Sequence, residues 1–448
     1  MKRLFIYLWL TVAFMACQTI DPSIEPEQEQ EQEQKQEEEE GLEVVEKKER
    51  VDIQLTDTEK QIATKSNVFA FDLLRTVSKN ETSEQNILIS PLSASMVFAM
   101  LNNGADGVTK EEIQGTLGYG DFSTEAMNEY FKKMLAAMKD IDTEAVFEAA
   151  NSIWIDSYFP VFQSFIDVNK EYYDAEIRNE NFKDNVGTTN SINDWCAEKT
   201  HDKIPKIIDG IDADKVMYLI NALYFKAAWT IPFDKSLTRD ETFHNQDGTT
   251  SQIPLMQNQR VVNYYEDEKF ALAELPYGNK AFSMIVLLPQ TNVSLSSIVE
   301  KMDADSWAGI INKQMKYEEL KLKIPRFRIE YERTLNDDME EMGMKTMLYS
   351  DKANFSLISP MPTFVSLVKQ KTFAEVNEAG TEAAAVTAIG MSNSVGPDYP
   401  PPSVKEFYVN RPFLYIIKEK STGSIAFMGL TKNPEYQDLG EPVYDYRR

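Results

Sequence analysis

The sequence predicts one large α+β domain, with most helices early in the chain and long strands later. Three observations carry this reading. From residue 63 to about residue 201 apolar residues recur mainly at helical spacing, and after residue 216 long apolar runs with strand character take over. The length beyond residue 55 by itself allows two domains, yet no linker and no internal repeat divides it. Finally, residues 375–395, EVNEAGTEAAAVTAIGMSNSV, begin like a strand, pass through Gly380 and become a run of small side chains before Pro397, Pro400, Pro401 and Pro402. Helices that need a sheet to cover, and strands that need a layer above them, make an α+β layered domain.

Taken in order, residues 63–77 read as a helix and residues 86–89 as a short strand. Ser90-Pro91-Leu92-Ser93 opens a helix over 94–102, because a serine cap followed by proline suits a first turn. Helices follow at 107–117, 131–140, 162–173 and from 190 to about 201, with an alternating strand at 149–155. Residues 216–229 form a long apolar strand, expected at the centre of a sheet. Strands flank Gly278 within 272–288, with Pro276-Tyr277 just before the turn. One strand is expected over 320–331, a helix over 332–342 and a strand over 364–378. The stretch FYVNRPFLYIIKEKSTGSIAFMGLTKNP supplies two apolar runs around a turn at 421–423.

Ahead of this domain, residues 1–16 carry Lys2 and Arg3, an apolar run and Ala16, the pattern of a secretory signal peptide. About a dozen apolar residues are short for a membrane span. Cys17 directly after Ala16 resembles a bacterial lipoprotein cleavage box, which implies diacylation of Cys17; the alternative is an ordinary signal peptide with an incidental cysteine. Residues 17–55 form a tether. Within residues 25–49, twelve Glu stand against three Lys, nine of the chain's 26 net negative charges. Such a composition buries no core and extends by self-repulsion. The domain is placed at 56–435 and a tail at 436–448.

Residues 381–389 avoid Gly and Pro for nine positions, unlike an ordinary surface loop, and Thr381 followed by Glu-Ala-Ala-Ala also reads as a capped helical turn. If the segment pairs as a strand with Glu382 toward solvent, then Thr381, Ala383, Ala385, Thr387 and Ile389 share the buried face. A plain loop and a conformational switch are the two readings that stand.

At this point a family resemblance enters. Gly380-Thr381-Glu382-Ala383-Ala384-Ala385, preceded by Glu378, resembles the hinge of inhibitory serpins, and Asn410-Arg411-Pro412-Phe413 through Phe427-Met428-Gly429 resembles that family's C-terminal signature. The resemblance spans roughly residues 60–435. It implies the serpin fold, with three β-sheets, about nine helices and an exposed reactive-centre loop. It also implies a suicide-substrate inhibitor of serine proteases, with cysteine proteases as a second class of target. Family spacing, fourteen residues beyond Gly380, puts the reactive bond at Ser394–Val395, and Met391–Ser392 is the alternative. A small Ser suits a shallow primary pocket of elastase or subtilisin type, and no Arg or Lys between Gly380 and Lys405 offers a trypsin-like enzyme its anchor. By the same resemblance Trp229, Asn221, Ser90 and Ser93 belong to the breach and the polar shutter; the alternative is a capped helix and a core Trp. Gln370 stands where the family often has a titratable His, so no pH-dependent gate is expected there. Arg326 aligns with the basic partner of Glu378, expected as a surface pair contributing ~0–1 kcal/mol. The rival reading is a non-inhibitory serpin acting as a binding or structural protein, against which the small side chains of Ala383, Ala384 and Ala385 speak.

No catalytic constellation stands out. The two histidines, His201 and His244, sit in no metal-ligand spacing, and no nucleophile elbow or phosphate-cradling glycine loop occurs. The chain is therefore expected not to be an enzyme and to need no metal or cofactor. An acidic balance without basic clusters argues against nucleic acid. Residues 131–140 lack the basic face of polyanion-activated relatives, so no polyanion cofactor is expected. Cys196, beside Trp195 on a helix, reads as a buried structural thiol. The expectation is an exported monomer on a bacterial cell envelope, periplasmic or surface-exposed, touching the membrane only through a lipid anchor.

Overall fold

The computed structural model describes residues 48–212, 215–381 and 404–436. Cys17, Glu382, Ala383, Ala384, Ala385, Met391, Ser392, Ser394 and Val395 lie outside the described residues. Among those that are described, nine α-helices and fifteen strands are present.

Helix α1 spans Asp57–Asn80 and begins with a capping box: the Thr56 hydroxyl accepts from the Glu59 N–H, and the Glu59 carboxylate accepts from the Thr56 N–H at 2.6 Å. It starts six residues before the expected position, because its first turn is polar and apolar periodicity begins only at Ile62. Strand β1 (Ile87–Ile89) leads to α2 (Pro91–Asn102), capped by Ser90 and buried along its whole length. Helices α3 (Gly107–Leu117) and α4 (Thr124–Lys139), strand β2 (Ala145–Asp156), helix α5 (Gln163–Tyr173), strand β3 (Glu176–Glu180) and helix α6 (Asn185–Lys199) follow. Strand β4 (Met217–Ala228) is the long apolar strand, and β2 lies beside it antiparallel.

The second half is richer in strands than its sequence shows. Strands β5 (Arg239–His244) and β6 (Thr250–Glu266) were not expected; β6 alternates buried and exposed residues and its outer face carries Gln252, Gln257 and Gln259, which hides it from an apolar-run reading. Strands β7 (Phe270–Pro276) and β8 (Phe282–Pro289) flank the Gly278 turn, followed by the unexpected helices α7 (Leu295–Lys301) and α8 (Ala304–Lys313). Residues 320–331 are not one strand. They belong to β9 (Lys316–Pro325) and β10 (Phe327–Thr334), which lie in different sheets. The β6–β9 ladder runs through Pro325, opposite Leu255, and ends with one further bond, from the Arg326 N–H to the Pro254 carbonyl at 2.8 Å, before the chain crosses to the other sheet. Helix α9 (Asn336–Met342) is correspondingly shorter than expected. The chain ends its described course with β11 (Val368–Val376), β12 (Gly380–Thr381), β13 (Lys405–Tyr408), β14 (Phe413–Glu419) and β15 (Ile425–Thr431).

One sheet has six strands in the order β10-β11-β12-β4-β2-β3. A nine-stranded ladder contains two groups, β1-β15-β14-β8-β7 and β5-β6-β9-β13, joined only where residues 263–266 of β6 pair with β7. These two groups and the six-stranded sheet make up the three sheets of the expected fold. The main core lies between the six-stranded sheet, the first group and α1–α5. A second cluster covers the opposite face of the six-stranded sheet beneath α6 and includes Trp154, Trp195, Cys196, Ile207, Ala222 and Phe373. Burial there pushes the Cys196 thiol up to about 12, so it is unreactive at neutral pH.

Candidate functional site

The site grows out of an unfinished seam in the six-stranded sheet. Strands β4 and β11 run parallel and pair directly from Leu219 with Val368 to Leu223 with Thr372. Both strands continue, but their ladder does not. After Val376 the chain turns over Asn377, Glu378 and Ala379 and comes back into the gap as β12, antiparallel to both neighbours. Thr381 sits between Val376 and Ala227, and Gly380 opposite Ala228. A Cβ on Gly380 would stand 2.0 Å from the Ala227 carbonyl oxygen, so only glycine permits this approach.

The turn is held by the segment that leaves β4. The Trp229 N–H donates to the Ala379 carbonyl at 2.7 Å, the Trp229 indole N–H to the Asn377 carbonyl at 2.9 Å, and the Phe233 N–H to the Glu378 carbonyl at 2.8 Å. Trp229 stacks on Tyr277 with ring centroids 4.4 Å apart, and the Tyr277 hydroxyl meets the Thr381 hydroxyl at 2.6 Å. Complete burial pushes the Tyr277 phenol well above its ordinary range, so it stays a neutral hydrogen-bonding group. Thr381 therefore faces the main core, and its face is set.

Beside the turn, Glu378 and Arg326 form a bidentate pair, with Arg326 Nε 2.8 Å from both carboxylate oxygens and Nη2 2.6 Å from one of them. The Thr238 hydroxyl donates to the same carboxylate, and the Tyr436 ring lies 5.3 Å from the guanidinium. The expected surface pair is not at the surface. The Glu378 side chain is 2% exposed and that of Arg326 18%, because the segment from Trp229 to Thr238 folds over them. The energy scale for an exposed pair does not apply.

Lower in the seam a polar row crosses three strands in register. Gln370 of β11 lies opposite Asn221 of β4, which lies opposite Asn151 of β2. The Gln370 amide bonds both backbone groups of Ser90, accepting from its N–H at 2.9 Å and donating to its carbonyl at 3.0 Å. The Ser93 hydroxyl donates to Asn221, whose amide donates to Asn151 at 2.9 Å. The Thr372 hydroxyl donates to the Leu88 carbonyl at 2.6 Å. Every member is buried. The row joins the closed part of the seam to the start of α2, so opening the seam requires this row to separate.

Comparison with known proteins places this architecture. A family model described as Serpin (serine protease inhibitor) matches residues 64–434. The chain belongs to the serpin family. A serpin-like protein of Methanosarcina mazei is 32% identical over 84% of this chain and 88% of its own. Human neuroserpin is 30% identical over 79% of this chain and 87% of its own. Among solved structures, the thermophilic serpin tengpin in its native state superposes with a TM-score of 0.77 at 30% identity, covering 86% of this chain and 97% of tengpin. Human thyroxine-binding globulin does so with a TM-score of 0.76 at 26% identity, covering 85% of this chain and all of that one.

In this serpin the structure brings Glu378, Gly380, Thr381, Trp229 and Arg326 together at the open end of the seam, and Ser90, Ser93, Asn221 and Gln370 at its closed part. Tyr277, Thr238, Asn151 and Thr372 were missed. Only Tyr277 had a signal, as an aromatic residue directly before a glycine turn. His201 lies over the Tyr224 ring with Nε2 3.0 Å from Glu148, while His244 is exposed on β5. Among the described residues no group of three metal-ligating side chains occurs.

Proposed function

We propose that this serpin inhibits serine-class endopeptidases as a suicide substrate. A target protease attacks the segment after Thr381 through its own nucleophile and forms an acyl-enzyme. Cleavage frees the N-terminal side of that segment, which continues β12 down the seam and carries the protease with it. Inhibition is then a race between insertion and hydrolysis of the acyl bond.

The observation that carries this reading is the register of β12. Thr381 pairs with Ala227 and Val376, and the offset between those partners equals the offset in the direct β4–β11 ladder. A chain continuing from Thr381 therefore meets both strands in one register, with residue 385 between Leu223 and Thr372 and residue 387 between Asn221 and Gln370. Insertion separates the five pairs now joining β4 to β11 and replaces that single ladder with two. Residues 383, 385, 387 and 389 (Ala, Ala, Thr, Ile) would face the main core. Residues 384, 386 and 388 (Ala, Val, Ala) would face the cluster beneath α6. A strand covered on both faces cannot alternate polar and apolar residues, and this run does not. Thr387 would bring a hydroxyl to the level of the Gln370–Asn221 row.

The similarity to thyroxine-binding globulin, a protein named for its ligand, supports the second reading, a non-inhibitory binding protein. The small side chains at 383–389 favour inhibition. Elastase-, subtilisin-, chymotrypsin- and trypsin-like enzymes incubated with the purified protein decide between them on denaturing gels with intact-mass analysis. A detergent-stable complex with a released peptide starting at Val395 supports mechanism and bond together. A peptide starting at Ser392 moves the bond to Met391–Ser392. Cleavage with neither a complex nor a rise in thermal stability refutes insertion. Residues 1–16 and Cys17 further support export and lipid anchoring, which labelling with a tagged fatty acid tests against Cys17→Ser.

A further inference from the structure

The steps above make no use of the segment that precedes α1, yet it reaches the hinge region. The Asn279 amide donates to the Lys48 carbonyl at 3.2 Å, and the Lys48 ammonium donates to the Asp140 carbonyl at the end of α4. Arg50 Nη1 donates to the Lys280 carbonyl at 3.3 Å, and its other terminal nitrogen pairs with Asp52 at 2.5 Å. The Ile53 N–H donates to the Ser421 hydroxyl at 2.9 Å, and Ile53 and Leu55 pack against the main core.

Asn279 and Lys280 belong to the turn between β7 and β8. On its inner side this turn rests on Asp142, whose carboxylate accepts the Asn279 N–H at 2.8 Å. The same carboxylate occupies the place of a Cβ on Gly278, which would lie 2.1 Å from one oxygen, and Gly278 has φ +40°. The Gly278 N–H reaches the Ala228 carbonyl at 2.8 Å, at the end of β4. Residues 48 and 50 grip the outer side. The first residue of the turn is Tyr277, which stacks on Trp229 and bonds the Thr381 hydroxyl. An unbroken run of contacts thus leads from the end of the acidic N-terminal region, through Lys48 and Arg50, to the first residue of the inserting strand.

We propose that Lys48 and Arg50 are positioning residues for the hinge: they fasten the 277–281 turn so that Tyr277 keeps Thr381 docked in the seam. The inference draws on the inhibitory reading for its consequence but not for its test. A docked Thr381 starts insertion already in register, whereas an undocked one must first return, which gives hydrolysis of the acyl bond more time. The end of the N-terminal region then sets the efficiency of trapping without touching the protease.

The test compares the full chain with a variant lacking residues 48–50, with Arg50→Ala, with Tyr277→Phe and with the deletion combined with Tyr277→Phe. Hydrogen exchange across residues 377–381 is the readout. Loss of the equivalent of one hydrogen bond is expected to speed exchange there about fivefold in the deletion and in Tyr277→Phe, with a smaller rise in Arg50→Ala. The combination is expected to exchange no faster than either change alone, since both act through one contact. Unchanged exchange with only a lower melting temperature overturns the proposal, as do effects that add in the combination. The exchange readout needs no protease, so a chain that trapped none would refute the inhibitory reading and leave this test intact.

Discussion

Arg326→Ala tests the buried pair at the hinge most directly. The substitution removes three close N···O contacts, at 2.6–2.8 Å, from a carboxylate that is 2% exposed and leaves it the Thr238 hydroxyl. Removing one member of a buried ion pair costs roughly 3–5 kcal/mol, because the other charge stays desolvated. Global unfolding is not the only escape. The turn is docked by the two Trp229 donors, the Phe233 N–H and the Tyr277–Thr381 contact, and such bonds are each worth about 1 kcal/mol net. The two quantities are of similar size, so undocking the hinge relieves Glu378 at a comparable cost. The expected outcome is a local opening: exchange across 377–381 rises steeply while the remainder of β11 and β4 stays protected. On the proposed inhibitory mechanism trapping efficiency is expected to fall in parallel, read as more moles of serpin consumed per mole of protease stopped. Exchange at 377–381 equal to that of the unaltered chain would refute the reasoning, and so would uniform loss of protection across the whole sheet.

Thr381→Arg puts a long cation against Tyr277 in the core, and Ala383→Pro would deny a ladder donor to the strand that the proposed insertion adds; on the proposed mechanism both are expected to give cleavage without a detergent-stable complex. Gln370→His places a titratable ring against Ser90, and on the proposed mechanism trapping rate is expected to acquire a pH dependence between about pH 5 and 8 that a glutamine, which does not titrate, cannot supply. Glu81 offers a stability test. Burial pushes its carboxyl up, but hydrogen bonds from Ser83, Gln85 and Tyr331 outweigh this and hold it at about 2 against an ordinary 4.5. A depressed carboxyl stabilises the fold above its unfolded value and loses that contribution as pH falls toward the folded one. The unaltered chain should therefore exceed Glu81→Gln in melting temperature at neutral pH, and the difference should shrink between about pH 4.5 and 2. A difference constant over that range would exclude the carboxylate as its source.

Local sequence was informative wherever one stretch of chain satisfies its own chemistry. Ser90-Pro91 marks a helix start because cap and first turn lie side by side, and β4 is visible because a strand covered on both faces is apolar over most of its length, here all but Asn221 and Lys226. The turn at 421–423 between β14 and β15 was legible for the same reason. Strand β6 was not, because its polar outer face and Pro254 look like a loop until β5, β7 and β9 are placed beside it. The change of sheet at Arg326 was hidden too: Pro325 and a one-residue slip of the apolar alternation, from 320, 322 and 324 to 327, 329 and 331, mark a break there but do not say that the chain crosses to another sheet.

For the site, the sequence by itself determined the run of small side chains after Gly380, because composition is a local property; reading that run as a hinge rests on the family resemblance. Only the tertiary structure decided that β4 and β11 part after Leu223 and Thr372, that Thr381 already occupies the gap, and that Glu378 is buried against Arg326. Those facts depend on residues far apart in the chain. Thr381 has partners at 227, 277 and 376, and Glu378 at 233, 238 and 326. Burial follows from what folds over a group, and no property of a single segment specifies its cover.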